Sequence, residues 1–507
     1  MEKGLIMDKE LEGYEITAAG LVARISIVDE GKFVPRYKVT FPQIGHATLM
    51  ILDSVRDELI KQTTVKAKEI LDPKIARIIQ KRFADKAEEL VSRYFPGIDT
   101  ISKGELVGLL VNDMVGLGEI EVPLNDDALE EIVINNAAEP LWVYHKRYGW
   151  LVTNITLEDE EKIKDYANLI GRRVGRQINT LTPLMDAHML EGDRVNSTLF
   201  PISTKGNTVT IRKFARKPWT VTDLIQLKTF NDEIAALLWL AMQYELNVLV
   251  SGGTGSGKTS ALNVLMPFVQ PNQRILSIED TRELNLPSYQ HWVPMTTRDP
   301  NPEGKGEVTM LDLMLNGLRM RPDRIVVGEI RKRAEAETLF EAMHTGHAVY
   351  STLHADRAEQ VKRRLTTQPI DISEALLESL HIVLVQYRHR RLGIRRTLEL
   401  AEVVPVGAGG DEVTIDMRTL YRWKPRQDTI MREKPSVRLF GEIESLTGLL
   451  ESEIKEDLEQ KKSILKWMVN QNINDVDVVG TLMARYYRDP SDLIKLARIN
   501  KPFTPEE

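Results

Sequence analysis

A glycine-rich run has the composition of a phosphate-binding loop, since residues 252–259 fit the pattern G-x-x-x-x-G-K-[ST] in full. In such a loop, glycines let backbone N–H groups approach a phosphate, a lysine reaches the β- and γ-phosphates, and a hydroxyl contributes to Mg²⁺ binding. The residues predicted to bind a nucleotide are Gly252, Gly253, Thr254, Gly255, Ser256, Gly257, Lys258, Thr259 and Ser260. Of these, Lys258 is the predicted phosphate ligand and Thr259 a predicted Mg²⁺ ligand.

Two adjacent carboxylates form a second candidate group. Glu279 and Asp280 follow the apolar run at residues 275–278, and we interpret that run as a buried strand. At a strand end, such a pair can coordinate Mg²⁺ through water or orient an attacking water molecule. The alternative is an ordinary helix cap.

A third group follows the apolar run at residues 324–327, where Gly328 and Glu329 end a predicted strand. The aspartate usually expected at this strand end is missing, because Gly328 occupies its position. Glu329 is therefore the residue predicted to polarise water for attack on the γ-phosphate. The same absence shifts the predicted Mg²⁺ coordination towards Thr259 and Asp280.

Histidines and arginines supply the remaining candidates. His347 and His354 flank a predicted strand, but no nearby ligand set supports a metal site, and we assign His354 a phosphate-sensing role at the strand tip. Arg319 and Arg321 precede another predicted strand. Either a solvated turn explains them, or they stabilise charge on a transferred phosphoryl group, in their own subunit or in a neighbouring one.

The elements that must position these groups alternate between strand and helix. Predicted strands at residues 248–251, 275–278, 325–328 and 348–351 are separated by helical patterns, and residues 234–242 have the composition of a core helix. This alternation indicates a mainly parallel, doubly wound α/β sheet, in which ligands bind at the carboxyl ends of the strands.

The rest of the chain divides into further modules. We predict a hairpin-plus-helices domain at 1–98, with Pro35 placing its second strand at an edge, and an α/β domain at 99–216 with a polar turn at 192–198. The nucleotide-binding domain spans 217–406. A strand pair near 413–421 and a helical extension, with Asp489 capping a helix that starts at a proline, fill 407–507. The basic run at 212–218 is either a solvated linker or a source of cations for bound phosphates.

Composition limits the function classes. The chain has 507 residues and a formal net charge of −7, which disfavours a general nucleic-acid coat protein. It contains no cysteine, which excludes disulfides, tetracysteine zinc sites and catalytic thiols. The charged N-terminus does not resemble a secretory signal, and the most apolar helix is too short to cross a bilayer. We therefore expect a cytoplasmic protein with at most a peripheral membrane role.

Taken together, the four motifs resemble those of the secretion ATPase superfamily, which includes the motors of type II and type IV secretion, type IV pili and archaella. The Walker A motif corresponds to residues 252–259, the Asp box to 278–283, the atypical Walker B motif to 328–331 and the His box to 346–356. The resemblance covers about residues 100 to 406. It implies ATP and Mg²⁺ as cofactors, a RecA-like P-loop ATPase domain and a smaller α/β domain hinged on it. Arg194 and Arg212, in segments that resemble the family's cleft-lining segments, are then candidate phosphate contacts.

The resemblance also implies a function. It predicts a hexameric ring motor on the inner face of the cytoplasmic membrane, which moves pilin-like subunits through a polytopic membrane platform protein. The absence of cysteine departs from the bacterial type II branch, which carries a tetracysteine insertion. The wording of the chain, including residues 142–146, looks most like the archaeal branch, which we favour, or the related tight-adherence pilus ATPases. Two alternatives stay open: a RecA-like nucleic-acid translocase, which the charge and the lack of aromatic-plus-basic runs disfavour, and a nucleotide-gated scaffold with little hydrolysis.

Overall fold

The computed structural model describes residues 9–18, 20–41, 44–62, 73–189, 192–214, 217–300, 304–407 and 413–503. The chain divides into two compact units, Met1–Arg216 and Lys217–Glu507. Within the described residues, each unit is built on one nine-stranded sheet. The finer division of the chain into four domains remains a prediction.

The first unit is built around a largely antiparallel sheet with strand order β1-β2-β3-β6-β5-β4-β9-β8-β7, in which β3 and β6 are the parallel pair. Its strands are β1 (Lys9–Ala18), β2 (Leu21–Asp29), β3 (Arg36–Thr40), β4 (Leu129–Ile134), β5 (Trp142–His145), β6 (Gly149–Thr153), β7 (Leu184–His188), β8 (Arg194–Thr198) and β9 (Thr208–Arg212). Its helices are α1 (His46–Gln62), α2 (Pro73–Tyr94), α3 (Thr100–Val115), α4 (Glu121–Asn125) and α5 (Glu160–Arg173).

Alternating apolar residues explain why these strands form. In β2, Leu21, Ala23, Ile25 and Ile27 all point into the core, as the period of two requires. Helix α5 begins at Asp159, whose side chain accepts the N–H of Lys162, and buries one apolar stripe against the sheet. Helices α1, α2 and α3 bury their apolar faces together in a separate core.

Two expectations for this unit are wrong. Strand β3 is not at an edge, because Pro35 lies just before it and uses its carbonyl to accept the N–H of Val152, so that β3 pairs with both β2 and β6. The predicted turn at residues 192–198 contains β8, in which Arg194 and Asn196 face outward while Val195 and Ser197 are buried. Strand β1 was not predicted.

The second unit contains the parallel sheet, in which the strand order is β12-β11-β13-β14-β10-β15-β16-β17-β18. From β12 through β11, β13, β14 and β10 to β15, neighbouring strands run parallel. Strands β16, β17 and β18 are each antiparallel to the strand before them in the sheet. The strands are β10 (Val248–Gly252), β11 (Ile275–Glu279), β12 (Trp292–Thr296), β13 (Arg324–Val327), β14 (Ala348–Leu353), β15 (Ile382–His389), β16 (Ile394–Val406), β17 (Thr414–Lys424) and β18 (Thr429–Arg432).

Helices cover both faces of this sheet, and two apolar clusters fill the space between the layers. The helices are α6 (Val221–Gln226), α7 (Asp232–Gln243), α8 (Lys258–Asn263), α9 (Met310–Gly317), α10 (Arg333–His344), α11 (Ala358–Thr366), α12 (Glu374–Leu377), α13 (Leu439–Thr447), α14 (Glu451–Asn470), α15 (Val476–Arg488) and α16 (Pro490–Arg498). Helix α7 is buried over residues 234–242, which confirms the predicted core helix. Among the described residues, no helix is both long and apolar enough to cross a membrane.

The predicted doubly wound α/β architecture is confirmed, with a correction at its carboxyl-terminal side. The expected strand pair near residues 413–421 is present but extends further, because β17 continues to Lys424 and its hairpin partner is β18. The helical extension that follows is confirmed, as is the cap at its last helix, where Asp489 accepts the N–H of Ser491 and Pro490 occupies the first turn.

Candidate functional site

The candidate groups lie at the carboxyl edge of the parallel sheet. Strands β11, β13, β14 and β10 are neighbours in this order and run in the same direction. The Asp box, Walker B, His box and phosphate-loop segments each follow one of these strands. Parallel strands end at the same edge, so the four segments converge although they are far apart in sequence.

Backbone geometry explains the glycines of the phosphate loop. Gly252, Gly255 and Gly257 have φ values of +148°, +69° and +89°, a region that residues with a Cβ rarely adopt. A Cβ on Gly252 would also lie 2.2 Å from the carbonyl oxygen of Gln386 on the neighbouring strand. The loop therefore depends on glycine both for its turns and for its close approach to β15.

The donors of the loop converge on one carbonyl oxygen. The oxygen of Gly253 accepts the N–H of Ser256 at 3.3 Å, the hydroxyl of Ser256 at 2.8 Å and the ammonium of Lys258 at 3.2 Å. Lys258 is only 9% exposed, and Thr259 follows it in the first turn of α8. Donors gathered around one oxygen are the arrangement that a phosphate oxygen would use in its place.

A continuous series of polar contacts joins the loop lysine to the Asp box, and we call its members the carboxyl-edge cluster. The cluster consists of Lys258, Asp280, Glu329, Arg331 and His354. The ammonium of Lys258 lies 3.3 Å from Nδ1 of His354, and Nε2 of that ring lies 3.2 Å from Oε1 of Glu329. Arg331 contacts the other carboxylate oxygen of Glu329 at 2.9 Å and Asp280 at 2.7 Å.

The surroundings of His354 disfavour its protonated form. Burial and the positive charge of Lys258 lower the pKa of His354 below its ordinary value, while Glu329 acts in the opposite direction. The ammonium of Lys258 lies at nearly equal distances from the two ring nitrogens, 3.3 Å from Nδ1 and 3.4 Å from Nε2. The ring therefore connects the phosphate-binding cation to the carboxylate predicted to activate water.

The two adjacent carboxylates of the Asp box have different surroundings. Glu279 is only 2% exposed, and its Oε1 accepts the N–H groups of Glu283 at 2.9 Å and Leu284 at 3.1 Å. Burial raises the pKa of Glu279 to about 7. Asp280, in contrast, is partly exposed and contacts Arg331 and Thr297. Of the pair, Asp280 is the carboxylate that belongs to the carboxyl-edge cluster.

These residues fit a nucleotide-bound Mg²⁺. Among the described residues, no group of three or more His, Asp or Glu side chains could hold a metal ion by itself. A nucleotide-bound Mg²⁺ needs only one or two protein ligands, because water and phosphate oxygens supply the others. Arg331 contacts the carboxylates of both Asp280 and Glu329, so its single positive charge offsets part of the negative charge of this pair.

Arg319 and Arg321 are not brought to the phosphate loop. Both side chains are exposed, and both residues lie just before Arg324, where β13 begins. Glu329 lies after Val327, where β13 ends. Because β13 is parallel to β10, these two arginines lie at the amino edge of the sheet in their own subunit. Arg319 instead donates to the carbonyl oxygen of Leu315 in α9 at 3.2 Å.

Arg194 and Arg212 belong to the first unit, where they are directly opposite each other on β8 and β9. Both are exposed on the side of the sheet away from Val195 and Ile211. Arg194 makes a two-point contact with Asp186, in which Nε lies 3.1 Å from Oδ1 and Nη2 lies 2.5 Å from Oδ2. Their role as phosphate contacts remains a prediction.

Sequence reasoning gave no role to three arginines near the loop. Arg331 was quoted within the Walker B motif but not assigned a function, although it contacts two of the predicted carboxylates. Arg388 and Arg395 lie against the loop itself. The sequence does mark Arg388 and Arg395 by composition, since residues 387–396 contain five arginines and no acidic residue.

Comparisons with known proteins identify the family of this chain. A family model described as "Type II/IV secretion system protein" matches residues 188–400. An uncharacterised protein of Methanocaldococcus jannaschii is 36% identical over 385 residues, which cover 75% of this chain and 69% of that protein. The type IV secretion system protein PtlH of Bordetella pertussis is 30% identical over 306 residues, which cover 54% of this chain and 89% of PtlH. The chain belongs to the secretion ATPase superfamily.

A solved structure from a secretion system is also matched over part of the chain. The VirB11 ATPase of the Brucella suis type IV secretion system is 25% identical, and the match covers 58% of this chain and 94% of VirB11 with a TM-score of 0.28. Membership in the superfamily confirms the resemblance that the four motifs indicated. The match to the Methanocaldococcus protein fits the expected archaeal branch.

Proposed function

We propose that this chain is a Mg²⁺-dependent ATPase that works as a ring-forming motor for pilin-like filaments. The observation that carries the proposal is the continuous series of contacts from Lys258 through His354, Glu329 and Arg331 to Asp280, next to a complete phosphate loop. Each component of phosphoryl transfer from ATP to water has a candidate group there.

The residues divide the reaction between them. Lys258 and the N–H groups of the loop bind the β- and γ-phosphates, while Thr259 and Asp280 hold Mg²⁺, which neutralises phosphate charge when it is bound. Water attacks the γ-phosphorus and gives its proton to Glu329 as the bond to the β,γ-bridging oxygen breaks. ADP and inorganic phosphate are the products. His354 contacts both Lys258 and Glu329, which suits a residue that responds to the γ-phosphate.

The mechanical role rests on family membership. PtlH is named a type IV secretion system protein, and the matching family model is described as a type II/IV secretion system protein. We propose a homo-hexamer on the inner face of the cytoplasmic membrane, which acts through a polytopic platform protein on a pilus, a pseudopilus or an archaellum. Arg194 and Arg212 of the first unit are proposed to contact the nucleotide, and Arg319 and Arg321 to act on the nucleotide of a neighbouring subunit.

Phosphate release from ATP tests the enzymatic part directly. The purified chain should release phosphate only with Mg²⁺ present, and Lys258→Ala should lower turnover by about 100-fold, because the main phosphate cation is lost. Lys455→Ala is the matched control, since Lys455 is an exposed lysine of α14 that pairs with Glu451. Equal turnover in wild type and Lys258→Ala would contradict the proposal.

The same assay separates the alternatives. A nucleic-acid translocase would show DNA-stimulated turnover that falls steeply with salt concentration. A nucleotide-gated scaffold would bind ATP without releasing phosphate. We expect neither result, because the net charge is −7 and the cluster around the loop contains groups for both binding and water activation.

A further inference from the structure

A basic hairpin borders the phosphate loop on the side opposite the carboxyl-edge cluster. We use the name basic hairpin tip for residues 387–396, where β15 turns into β16. This segment contains five arginines, one histidine and no acidic residue, although the whole chain carries a net charge of −7. None of the motifs discussed above includes it.

Strand register places two of these arginines beside the loop. Gly252 of β10 pairs with Gln386 of β15, so β15 continues along the loop for two further residues to Arg388. In the antiparallel pair that follows, Arg388 is directly opposite Arg395. Like charges at directly opposed positions destabilise a strand pair. An opposed pair of arginines at this point therefore points to a role that offsets this cost.

Both side chains pack against the tip of the loop. Nε of Arg395 donates to the carbonyl oxygen of Gly255 at 3.1 Å. Nη1 of Arg388 lies 2.9 Å from the position that a Cβ on Gly255 would take, and Cδ of Arg395 lies 3.4 Å from the corresponding position on Gly257. Glycine at 255 thus provides room for Arg388 as well as the positive φ value, whereas at Gly257 the distance to Arg395 is an ordinary van der Waals contact.

The contact to Gly255 fixes a peptide group of the loop. The carbonyl of Gly255 and the N–H of Ser256 belong to one planar trans peptide and point in opposite directions. When Arg395 holds the carbonyl on the outer side, the N–H is directed to the inner side, where it meets the oxygen of Gly253 at 3.3 Å. The hairpin therefore presets the direction of a phosphate-binding donor.

We propose that Arg388 and Arg395 are positioning residues for the phosphate loop, which hold its tip in the conformation that binds the phosphates of ATP or ADP. The inference rests on the proposed ATPase function and extends it to a segment outside the motifs. Preorganisation of a donor acts on ground-state binding, so the two arginines set nucleotide affinity rather than the rate of the chemical step.

Nucleotide titrations of hairpin variants test this role. Arg388→Gln, Arg395→Gln and the double variant should raise the Kd for ATP and ADP and the KM for ATP, by about tenfold in the double variant, while kcat at saturation stays within about twofold. Arg395→Lys should recover part of the affinity, because its ammonium can still donate to Gly255. Arg391→Gln is the matched control, since Arg391 is exposed on the same hairpin and the charge change is the same.

Hydrogen exchange of the nucleotide-free protein gives a second readout. The amides of residues 255–258 should exchange faster in Arg395→Gln than in wild type or Arg391→Gln, with equal thermal unfolding temperatures. Unchanged exchange and affinity would overturn the proposal, as would an equal loss of affinity in Arg391→Gln, which would indicate a general charge effect. If wild type does not bind or hydrolyse ATP, the proposed function fails, whereas the exchange data still decide whether the arginines hold the loop.

Discussion

The second unit contains two clusters of charged side chains that differ in their exposure to water. In the carboxyl-edge cluster, the side chains of Arg331 and Asp280 are 58% and 41% exposed. In the second cluster, which we call the buried lysine cluster and which consists of Trp239, Asp457, Lys461 and Tyr486, the lysine side chain has no exposed surface. Side chains of the carboxyl-edge cluster can therefore exchange their present contacts for contacts with a ligand. Lys461 of the buried lysine cluster cannot.

The buried lysine cluster connects the helical extension to the core of the sheet domain. Lys461 of α14 contacts the carboxylate of Asp457 and donates to the hydroxyl of Tyr486 in α15 at 3.0 Å. Its ammonium lies 5.4 Å from the ring centre of Trp239 in α7 and 4.8 Å from that of Tyr486. Burial lowers the pKa of Lys461 to about 8, and Asp457 partly offsets this effect.

The comparison separates stability from activity. A buried charge without its partner is expensive, whereas an exposed ion pair contributes little to folding. Loss of a partner in the buried lysine cluster should therefore lower the free energy of unfolding. The ATPase activity of the folded protein should stay unchanged. Loss of a residue from the carboxyl-edge cluster should lower ATPase activity and leave the free energy of unfolding nearly unchanged.

The largest expected stability effect comes from Asp457→Asn, which leaves the shape of the side chain but removes its charge. We expect a loss of about 3 kcal/mol in the free energy of unfolding at pH 7, because the Lys461 ammonium stays buried without a counter-charge. The double variant Lys461→Met/Asp457→Asn should recover most of this loss. Urea denaturation measures both, and a loss in the double variant as large as in Asp457→Asn would contradict the comparison.

The pH dependence of stability gives the next effect. The pKa of Lys461 is about 8 in the folded protein, below the ordinary value of 10.5, so the unfolded chain binds more protons between these pH values and stability rises with pH. Between pH 7.5 and 9.5, wild type should gain on the order of 2 kcal/mol relative to Lys461→Met. A difference that stays constant across this range would show that Lys461 titrates normally.

Within the carboxyl-edge cluster, the two adjacent carboxylates should respond differently. Asp280→Asn should lower kcat by about tenfold or more, because it weakens the site for Mg²⁺ and removes a partner of Arg331. Glu279→Gln should retain most of the activity, since an amide oxygen can still accept the N–H groups of Glu283 and Leu284. Phosphate release at saturating Mg²⁺ and ATP measures both, and a greater loss in Glu279→Gln would reverse the assignment.

A smaller loss of activity than in Asp280→Asn is expected for Arg331→Gln. The exposed guanidinium orients Glu329 and Asp280, so its removal should lower kcat by about threefold to tenfold and change the free energy of unfolding by less than about 1 kcal/mol. Arg333→Gln, at an exposed arginine of α10 that pairs with Glu337, is the control. A large loss of stability in Arg331→Gln would mean that the carboxyl-edge cluster is structural like the buried one.

The parts of the fold and site that the sequence predicted are those encoded in short contiguous runs. The apolar runs before Gly252, Glu279, Gly328 and His354 indicated buried parallel strands, and each motif follows its strand directly. Because ligands bind at the carboxyl edge of such a sheet, the convergence of the motifs was predictable from the strand assignments.

What the sequence did not predict depends on strand order and register. Arg331 reaches Asp280 because β11 and β13 are neighbours, although the two residues are far apart in the chain. Arg388 and Arg395 reach the loop because β10 pairs with β15, a strand whose end is too polar to suggest a buried partner. The positions of Arg319 and Arg321 were predictable in principle. These arginines precede strand β13, whereas the phosphate loop follows strand β10, so in a parallel sheet they lie at opposite edges.

The central claim is that Glu329 activates water while Lys258 and the loop bind ATP. Glu329→Gln keeps the shape of the side chain and removes its ability to accept a proton. Single-turnover hydrolysis together with ATP titration should show a rate at least about 100-fold below that of wild type, with a Kd for ATP within about threefold of the wild-type value. Retention of near-wild-type turnover would contradict the account.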